Sequence, residues 1–427
     1  MTDQTPTHLV VVGQGYVGLP MALRAAEVGI RVTGLDSNTR VVADLNRGVS
    51  HIDDVSAEDL AAGREQGYRA TTDPACIASA DVVIVCVPTP LAPDGGPDLE
   101  AVRRAASVIG EHITPGTLAI LESTTYPGTT EEDFAPLVLG DRFEVGTDIH
   151  IAFSPERIDP GNPTYGVRNT PKVVGGLTPA CTEAARAFYA RFIDTVVPAR
   201  GAMEAEMAKL LENTFRHVNI ALVNEMVRFC DELDIDLWNA IDCAETKPFG
   251  YMAFRPGPGV GGHCIPVDPS YLSHRVRAKL GYSFRMVELA EEINHAAPAY
   301  VADRVQAALN GARKSVNGST VLLLGVTYKP NISDLRESPS ATLADRLEQL
   351  GATVIYHDPY VPCWQRDKGA GPILESVADP YAAAASADMT VLLQPHREYD
   401  LPRLGEEAAL LLDTRGKVKE SDRVRAL

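Results

Sequence analysis

Two stretches at opposite ends of the chain repeat one pattern, and that repetition restricts the fold more than any other feature. Near the front, HLVVVGQGYVG reads as a buried strand entering a helix, and RVTGLDSN as a second strand ending at Asp36. ADVVIVCVPTP and GTLAILESTT are two further apolar runs bounded by turn residues. Near the back, STVLLLGVTYKP, ATVIYHDPY ending at Asp358, ADMTVLLQPH and ALLLDTRG follow in the same order. Continuous Val/Ile/Leu strands alternating with helical patterns indicate parallel sheets covered on both faces. A chain of 427 residues is also too long for one core. The expectation is an α/β protein with two doubly wound domains, residues 1–200 and 313–427, joined by a helical domain over residues 201–312.

That middle stretch has few strand signals. GAMEAEMAKLLENTFRHVNIALVNEMVRFCDELDID spaces Met207, Leu210, Leu211, Val218, Leu222, Met226, Phe229 and Leu233 at helical intervals, with Glu204 and Glu206 near its start. It reads as a long buried connector. A second helical pattern follows Tyr282 and stops at Gly311, with Pro298 placed to kink or divide it. Between the two lies KPFGYMAFRPGPGVGGHCIPVDP, a Gly/Pro-rich loop too long to be mere connection.

Gly13, Gly15 and Gly18 follow an apolar strand and open a helix, the setting in which glycines let a pyrophosphate approach backbone N–H groups. Asp36 ends the next strand, placed for a ribose diol, and its charge repels the extra phosphate of NADP. NAD is the expected cofactor, with Arg40 leaving room for NADP. Thr89, Ser123 and Thr124 end strands of the same sheet, where cofactor or substrate contacts belong, although turn formation and capping use the same residue types.

Cys264 stands in GGHCIPVDP, whose small residues leave a thiol uncrowded, whereas Cys86, Cys181 and Cys230 sit in apolar patterns and read as core. A thiol beside a nicotinamide has a use: it attacks an aldehyde, and the hemithioacetal gives up a hydride to become a thioester. Two successive oxidations become possible.

GQGYVG, Val87 to Pro90, the Ser-Thr of ESTTYPGTT, FSPERIDPG, Lys209-x-x-x-Asn213, GGHCIPVDP and TYKPNISDLRESP occur together and in order. In this the chain resembles the UDP-glucose/GDP-mannose dehydrogenase family over nearly its whole length. The resemblance implies NAD-dependent four-electron oxidation of a sugar C6 alcohol to a carboxylate, a second Rossmann-like domain for the UDP end, and a helical region that pairs subunits. It makes Cys264 the nucleophile and Glu156 the carboxylate that activates water. Lys209 and Asn213 then stabilise developing oxyanion charge, with Asp268 and Thr124 holding the water and Lys209. The cofactor loop is Gly13, Gly15, Tyr16, Val17 and Gly18, joined by Arg336 from the far domain. Arg157, Gly261 and Lys329 are substrate contacts, and Arg255 is either another or a surface charge.

Within the family, PGPGVGGHCIPVDP, FSPERIDPGNP and KPFGYM resemble the N-acetylhexosamine branch more than the glucose branch, and Lys247 stands near where the latter carries a sugar-binding Arg. UDP-N-acetylglucosamine is the first expectation, then UDP-N-acetylmannosamine and UDP-glucose. A two-electron 3-hydroxyacid dehydrogenase has no use for Cys264, and a non-catalytic sensor of NAD or sugar nucleotide would have lost at least one of Cys264, Lys209, Asn213 or Glu156. Thirty-nine Lys and Arg against 57 Asp and Glu leave a net charge of −18, which speaks against nucleic-acid and membrane partners. Seven scattered cysteines without a C-x-x-C pair suggest neither disulfides nor a metal, and the expected compartment is the cytoplasm.

Overall fold

The computed structural model describes residues 7–52, 55–92, 96–159, 162, 164–262, 265–366 and 372–427. The chain forms two compact units, Met1–Glu212 with Ser270–Gly281, and Asn213–Pro269 with Tyr282–Leu427.

The first unit is built on eight strands: β1 (His8–Val12), β2 (Arg31–Leu35), β3 (Arg69–Thr71), β4 (Val82–Val85), β5 (Leu118–Leu121), β6 (His150–Phe153), β7 (Lys172–Gly176) and β8 (Val196–Pro198). Their order in the sheet is β3-β2-β1-β4-β5-β6-β7-β8, parallel throughout except that β7 runs against β6. The strand period of two sends Leu9 and Val11 into one core with the helix Gly18–Glu27, and Val10 into another with the helix Glu100–His112. Because β1 lies between β2 and β4, the winding reverses there, and the carboxyl ends of β1 and β4 flank the switch point where doubly wound sheets bind ligands.

In the second unit β9 (Thr320–Leu324) and β10 (Thr353–His357) are followed by a small hairpin of β11 (Cys363–Gln365) and β12 (Ile373–Glu375). The strands β13 (Met389–Leu392), β14 (Leu411–Asp413) and β15 (Val424–Ala426) complete a parallel sheet of order β10-β9-β13-β14-β15. Val321 and Leu323 face a core that also takes Val223, Val227, Ile241 and Val305 from the helices, while Leu322 and Leu324 face the other side. The turn after β9 copies the turn after β1. Gly325 (φ +76°) and Gly13 (φ +90°) each leave no room for a Cβ, which would come within 2.6 Å of the carbonyl oxygen of Gln394 or Cys86. Only glycine fits both.

Two expectations change. The helix Ala202–Glu232 is not a buried connector: Leu210 is buried, but Met207, Leu211, Leu222, Phe229 and Leu233 are exposed along one stripe. Helical spacing identifies an apolar face and does not say what covers it. The helix Arg285–Gly311 runs on through Pro298 without interruption, since a buried proline removes one helical hydrogen bond that surrounding packing tolerates. Among the described residues, Cys181 and Cys230 are core as expected and Cys86 is half-buried against it.

Candidate functional site

At the end of β1 the three glycines separate into two kinds. A Cβ on Gly18 would fall on the carbonyl oxygen of Gly13, so Gly13 and Gly18 serve the protein's own packing. Gly15 has a negative φ and nothing within 4 Å of a built Cβ. Gly15 therefore leaves the backbone open on that side, as the close approach of a pyrophosphate requires. Asp36 stands beside it, half-buried, its two oxygens accepting from the backbone N–H of Gln14 at 2.9 Å and of Asn38 at 2.8 Å. Each oxygen keeps acceptor capacity for a hydroxyl. Behind the loop, buried Gln14 accepts from the Tyr68 hydroxyl at 2.7 Å and donates to the carbonyl of Val11, which fixes the turn. Tyr16 and Val17 lie on the open side, and Arg40 is almost wholly exposed, 3.8 Å from Asp44. A dinucleotide fits this cradle.

Thr89 is buried and its carbonyl accepts from the Tyr271 hydroxyl. Ser123 donates to the carbonyl of Val87 at 2.7 Å, tying the loops after β4 and β5 together, so its hydroxyl proton is already used. Thr124 is half-buried on the same loop.

Glu156 follows β6 and faces the helix Ala202–Glu232, where Lys209 places Nζ 3.4 Å from its Oε2. The backbone N–H of Ile158 donates to the other carboxylate oxygen. Arg157 is drawn to Glu212 at 2.7 Å and to the carbonyl of Pro171 at 2.6 Å. The first unit therefore carries a buried ammonium and a buried carboxylate side by side, a pair suited to moving a proton to or from a bound hydroxyl.

In the second unit Asn213 donates to Asp268, both buried. Gly261 and Gly262 lie flat on Tyr328: a Cβ on either would come within 2.8 Å of that side chain, and the N–H of Gly262 donates to the carbonyl of Arg336 at 2.9 Å. The cysteine loop and the TYKPNISDLRESP motif, about 65 residues apart in sequence, thus meet. His263 and Cys264 themselves lie outside the described residues. Lys329 is half-buried in the loop after β9, and Arg336 forms a bidentate pair with Asp334. Arg255 pairs with Asp242 at 2.7 Å and Glu245 at 2.9 Å on the neighbouring helix, which supplies the surface-charge alternative with partners.

Sequence reasoning passed over three groups. Arg415, in the DTRG that ends β14, donates through Nε to the carbonyl of Leu393, and its guanidinium leaves no room for a Cβ on Gly257. Burial pulls it down to about 10, and no salt bridge to it occurs among the described residues. The signal was a lone Arg after a buried strand. Glu122, Lys172 and Tyr189 form a buried set beneath the loops, with Lys172 2.9 Å from Glu122 and the Tyr189 hydroxyl donating to it. Glu206, read from the sequence only as an acidic residue near a helix start, is fully buried.

No cluster that could hold a metal ion occurs among the described residues, and no helix among them is long and apolar enough to cross a membrane. The sequence matches the UDP-glucose/GDP-mannose dehydrogenase family at three places: the NAD binding domain over residues 7–193, the central domain over 203–296 and the UDP binding domain over 322–420. It is 36% identical to an NDP-N-acetyl-D-galactosaminuronic acid dehydrogenase of Ralstonia nicotianae over 95% of both chains. A UDP-N-acetyl-D-mannosamine dehydrogenase of Salmonella typhi is 35% identical over 96% of this chain and 99% of its own. The solved UDP-D-ManNAc dehydrogenase of Pyrococcus horikoshii superposes with a TM-score of 0.88 at 30% identity, covering 98% of this chain and 99% of that one. With a dinucleotide cradle in the first unit and all three family regions in order, the chain belongs to the UDP-glucose/GDP-mannose dehydrogenase family and is an NAD-dependent nucleotide-sugar dehydrogenase.

Proposed function

We propose that the protein oxidises the C6 alcohol of a UDP-N-acetylhexosamine to the carboxylate, in two steps of two electrons each. The observation that carries the reading is the buried Lys209–Glu156 pair, which supplies a cation and a carboxylate in one place. NAD, when bound at Gly15 and Asp36, supplies the hydride acceptor, and two molecules are consumed per sugar. Lys209 stabilises the alkoxide as the C6 hydroxyl gives its proton to water and C6 gives up its first hydride to the cofactor, leaving the aldehyde. The Cys264 thiolate adds to the resulting aldehyde carbon, the hemithioacetal loses a hydride to become a thioester, and water cleaves the thioester to carboxylate and thiol. Glu156 takes the proton from that water. Asn213 and Asp268 hold hydrogen bonds to the oxyanion and the water, and Lys329 and Arg415 are the cations offered to the diphosphate or sugar.

The sugar is the finer question. The relatives named above act, by their names, on mannosamine and galactosaminuronic derivatives, so UDP-N-acetylmannosamine moves ahead of UDP-N-acetylglucosamine as the substrate to try first. The test is the NADH yield per sugar with limiting UDP-N-acetylmannosamine, UDP-N-acetylgalactosamine, UDP-N-acetylglucosamine or UDP-glucose in excess NAD. A yield of two on an N-acetylhexosamine supports the reading, a yield of one removes the thioester route, and turnover of UDP-glucose alone removes the substrate class.

We further propose that a second copy of the chain covers the exposed face of the second unit formed by Phe215, Leu222, Phe229 and Leu233, together with Met286 and Leu289 of the helix Arg285–Gly311. Large apolar side chains exposed along one stripe of a helix mark an interaction surface.

A further inference from the structure

We propose that Glu206 is a positioning residue for this site: its carboxylate clasps the loop that carries Ser123 and Thr124 to the helix turn that carries Lys209, and without the clasp the two catalytic elements lose register. The proposal rests on the functional reading above.

Glu206 lies three residues before Lys209, on the same buried face of one helix. One of its oxygens accepts from the N–H of Gly128 at 2.6 Å, the other from the N–H of Thr130 at 2.9 Å and from the Thr130 hydroxyl at 2.7 Å. Those N–H groups open the helical turn Thr130–Phe134, so a side chain from a distant helix does the work of a local cap. Between Thr124 and this clasp there are only three residues, Thr125, Tyr126 and Pro127. An aliphatic residue would keep the helix and its packing, and a fully buried carboxylate is an expensive choice for a purely structural cap. The geometry it enforces is what distinguishes it.

Of the charges around the clasp, Glu131 on the clasped turn is exposed and in no ion pair among the described residues, and the others are paired. Arg275 contacts Glu132 and lies 4.7 Å from the centre of the Tyr126 ring, Lys279 contacts Glu132, Asp133 takes Arg103, and Lys209 takes Glu156. Burial pushes Glu206 up to about 7, partly offset by its three hydrogen bonds and by Arg275. Protonation puts an O–H where an acceptor is needed and opens one side of the clasp.

The test compares the wild type with Glu206→Gln in two ways: kcat and KM against pH, and amide exchange at Gly128 and Thr130, corrected for intrinsic pH dependence. The substituted amide keeps one acceptor but points N–H groups at another N–H. The expected result is a fall in kcat of roughly 10- to 100-fold with KM for both substrates little changed. The acid limb of the wild-type profile disappears in the variant, and the two amides lose protection that the wild type loses only below neutral pH. Wild-type kcat with its acid limb intact, or unaltered protection, overturns the proposal. Should Glu206→Gln fail to fold, Thr130→Val removes one bond of the clasp and is expected to lower kcat in the same direction; unchanged kcat and exchange overturn it equally. Inactivity of the wild type on every nucleotide sugar overturns the functional reading instead, and the exchange measurement still decides whether the clasp exists.

Discussion

Nζ of Lys209 stands 3.4 Å from Oε2 of Glu156, and both side chains are almost completely buried. Removing one partner strands the other in a site of low polarity, which costs more than the pair itself gives. Glu156→Gln keeps the shape while losing the proposed base for water. The expected pre-steady-state trace is a burst of two NADH per site, followed by a steady rate lower by roughly 10²- to 10⁴-fold as thioester accumulates. Stopped-flow absorbance checks it, and a linear trace at the wild-type rate would remove Glu156 from hydrolysis.

The glycines of the cofactor loop are separable by measurement. Gly13→Ala forces a Cβ to 2.6 Å from the carbonyl oxygen of Cys86 at a positive φ, and is expected to destabilise the fold by more than about 1 kcal/mol. Gly15→Ala meets nothing in the protein and should leave stability within roughly 0.5 kcal/mol while raising the dissociation constant for NAD. Thermal melts with NAD titration by fluorescence decide. Equal loss of stability in both would mean that Gly15 also serves packing.

Asp36 and Asp358 occupy equivalent places, each at the end of the second strand of its sheet and each accepting from the N–H after the first glycine of the turn. Their surroundings differ. Asp358 is buried, accepts from Tyr360 N–H at 2.8 Å, and lies 3.1 Å from Nε2 of His396, whose Nδ1 accepts from Asn331 N–H at 2.9 Å. The carboxylate that is proposed to meet a ribose in the first unit has a counterpart consumed by the protein in the second, where it anchors the loop of Lys329. Asp36→Ala should therefore raise the KM for NAD several-fold with little loss of stability. Asp358→Ala should cost roughly 3 kcal/mol in urea denaturation and leave NAD affinity alone. A reversal of that order would show that the second unit holds the dinucleotide.

Phe229 and Leu222 are exposed on a helix whose opposite face is core. Leu222→Glu places a charge in the middle of the proposed interface. Light scattering is expected to show the wild type as a dimer or larger and the variant shifted toward monomer, with NAD affinity of the variant unchanged. A wild type that is monomeric at micromolar concentration refutes the second copy as occupant.

How much of this was legible beforehand depended on whether the cause was local. The strands, the turn glycines and Asp36 follow from short patterns, because a buried parallel strand and a pyrophosphate turn are each specified within a dozen residues. Lys209 and Asn213 could be placed on one helix face by spacing alone. The partners of Glu206 could not, since two of its three bonds come from the backbone N–H groups of Gly128 and Thr130, which leave no mark in a sequence, and the third from a Thr hydroxyl distant in the chain. Arg415 and Asp358 are of the same kind: the residue is visible, but its burial depends on Leu393, Gly257 and His396, brought in from elsewhere in the chain. The exposed stripe of the long helix failed in the opposite way, because spacing identifies an apolar face but not its neighbour.

The raised Glu206 carboxylate also predicts a pH signature in stability. Its value in the folded protein is about 7 against 4.5 ordinarily, and desolvation is the main cause. Between those values the folded state holds a proton that the unfolded chain has released, so stability falls as pH rises through this window. Below it the contribution is fully present; above about 7 it is gone. Glu206→Gln does not titrate, so the stability of the wild type minus that of the variant isolates the group from all other carboxylates. That difference should decline by an amount on the order of 3 kcal/mol between mildly acid and neutral pH, and level off above. Urea denaturation of the two proteins at matched pH values measures it. A difference independent of pH would mean that the carboxylate is solvated in solution, and it would remove the reason for the clasp to loosen in acid.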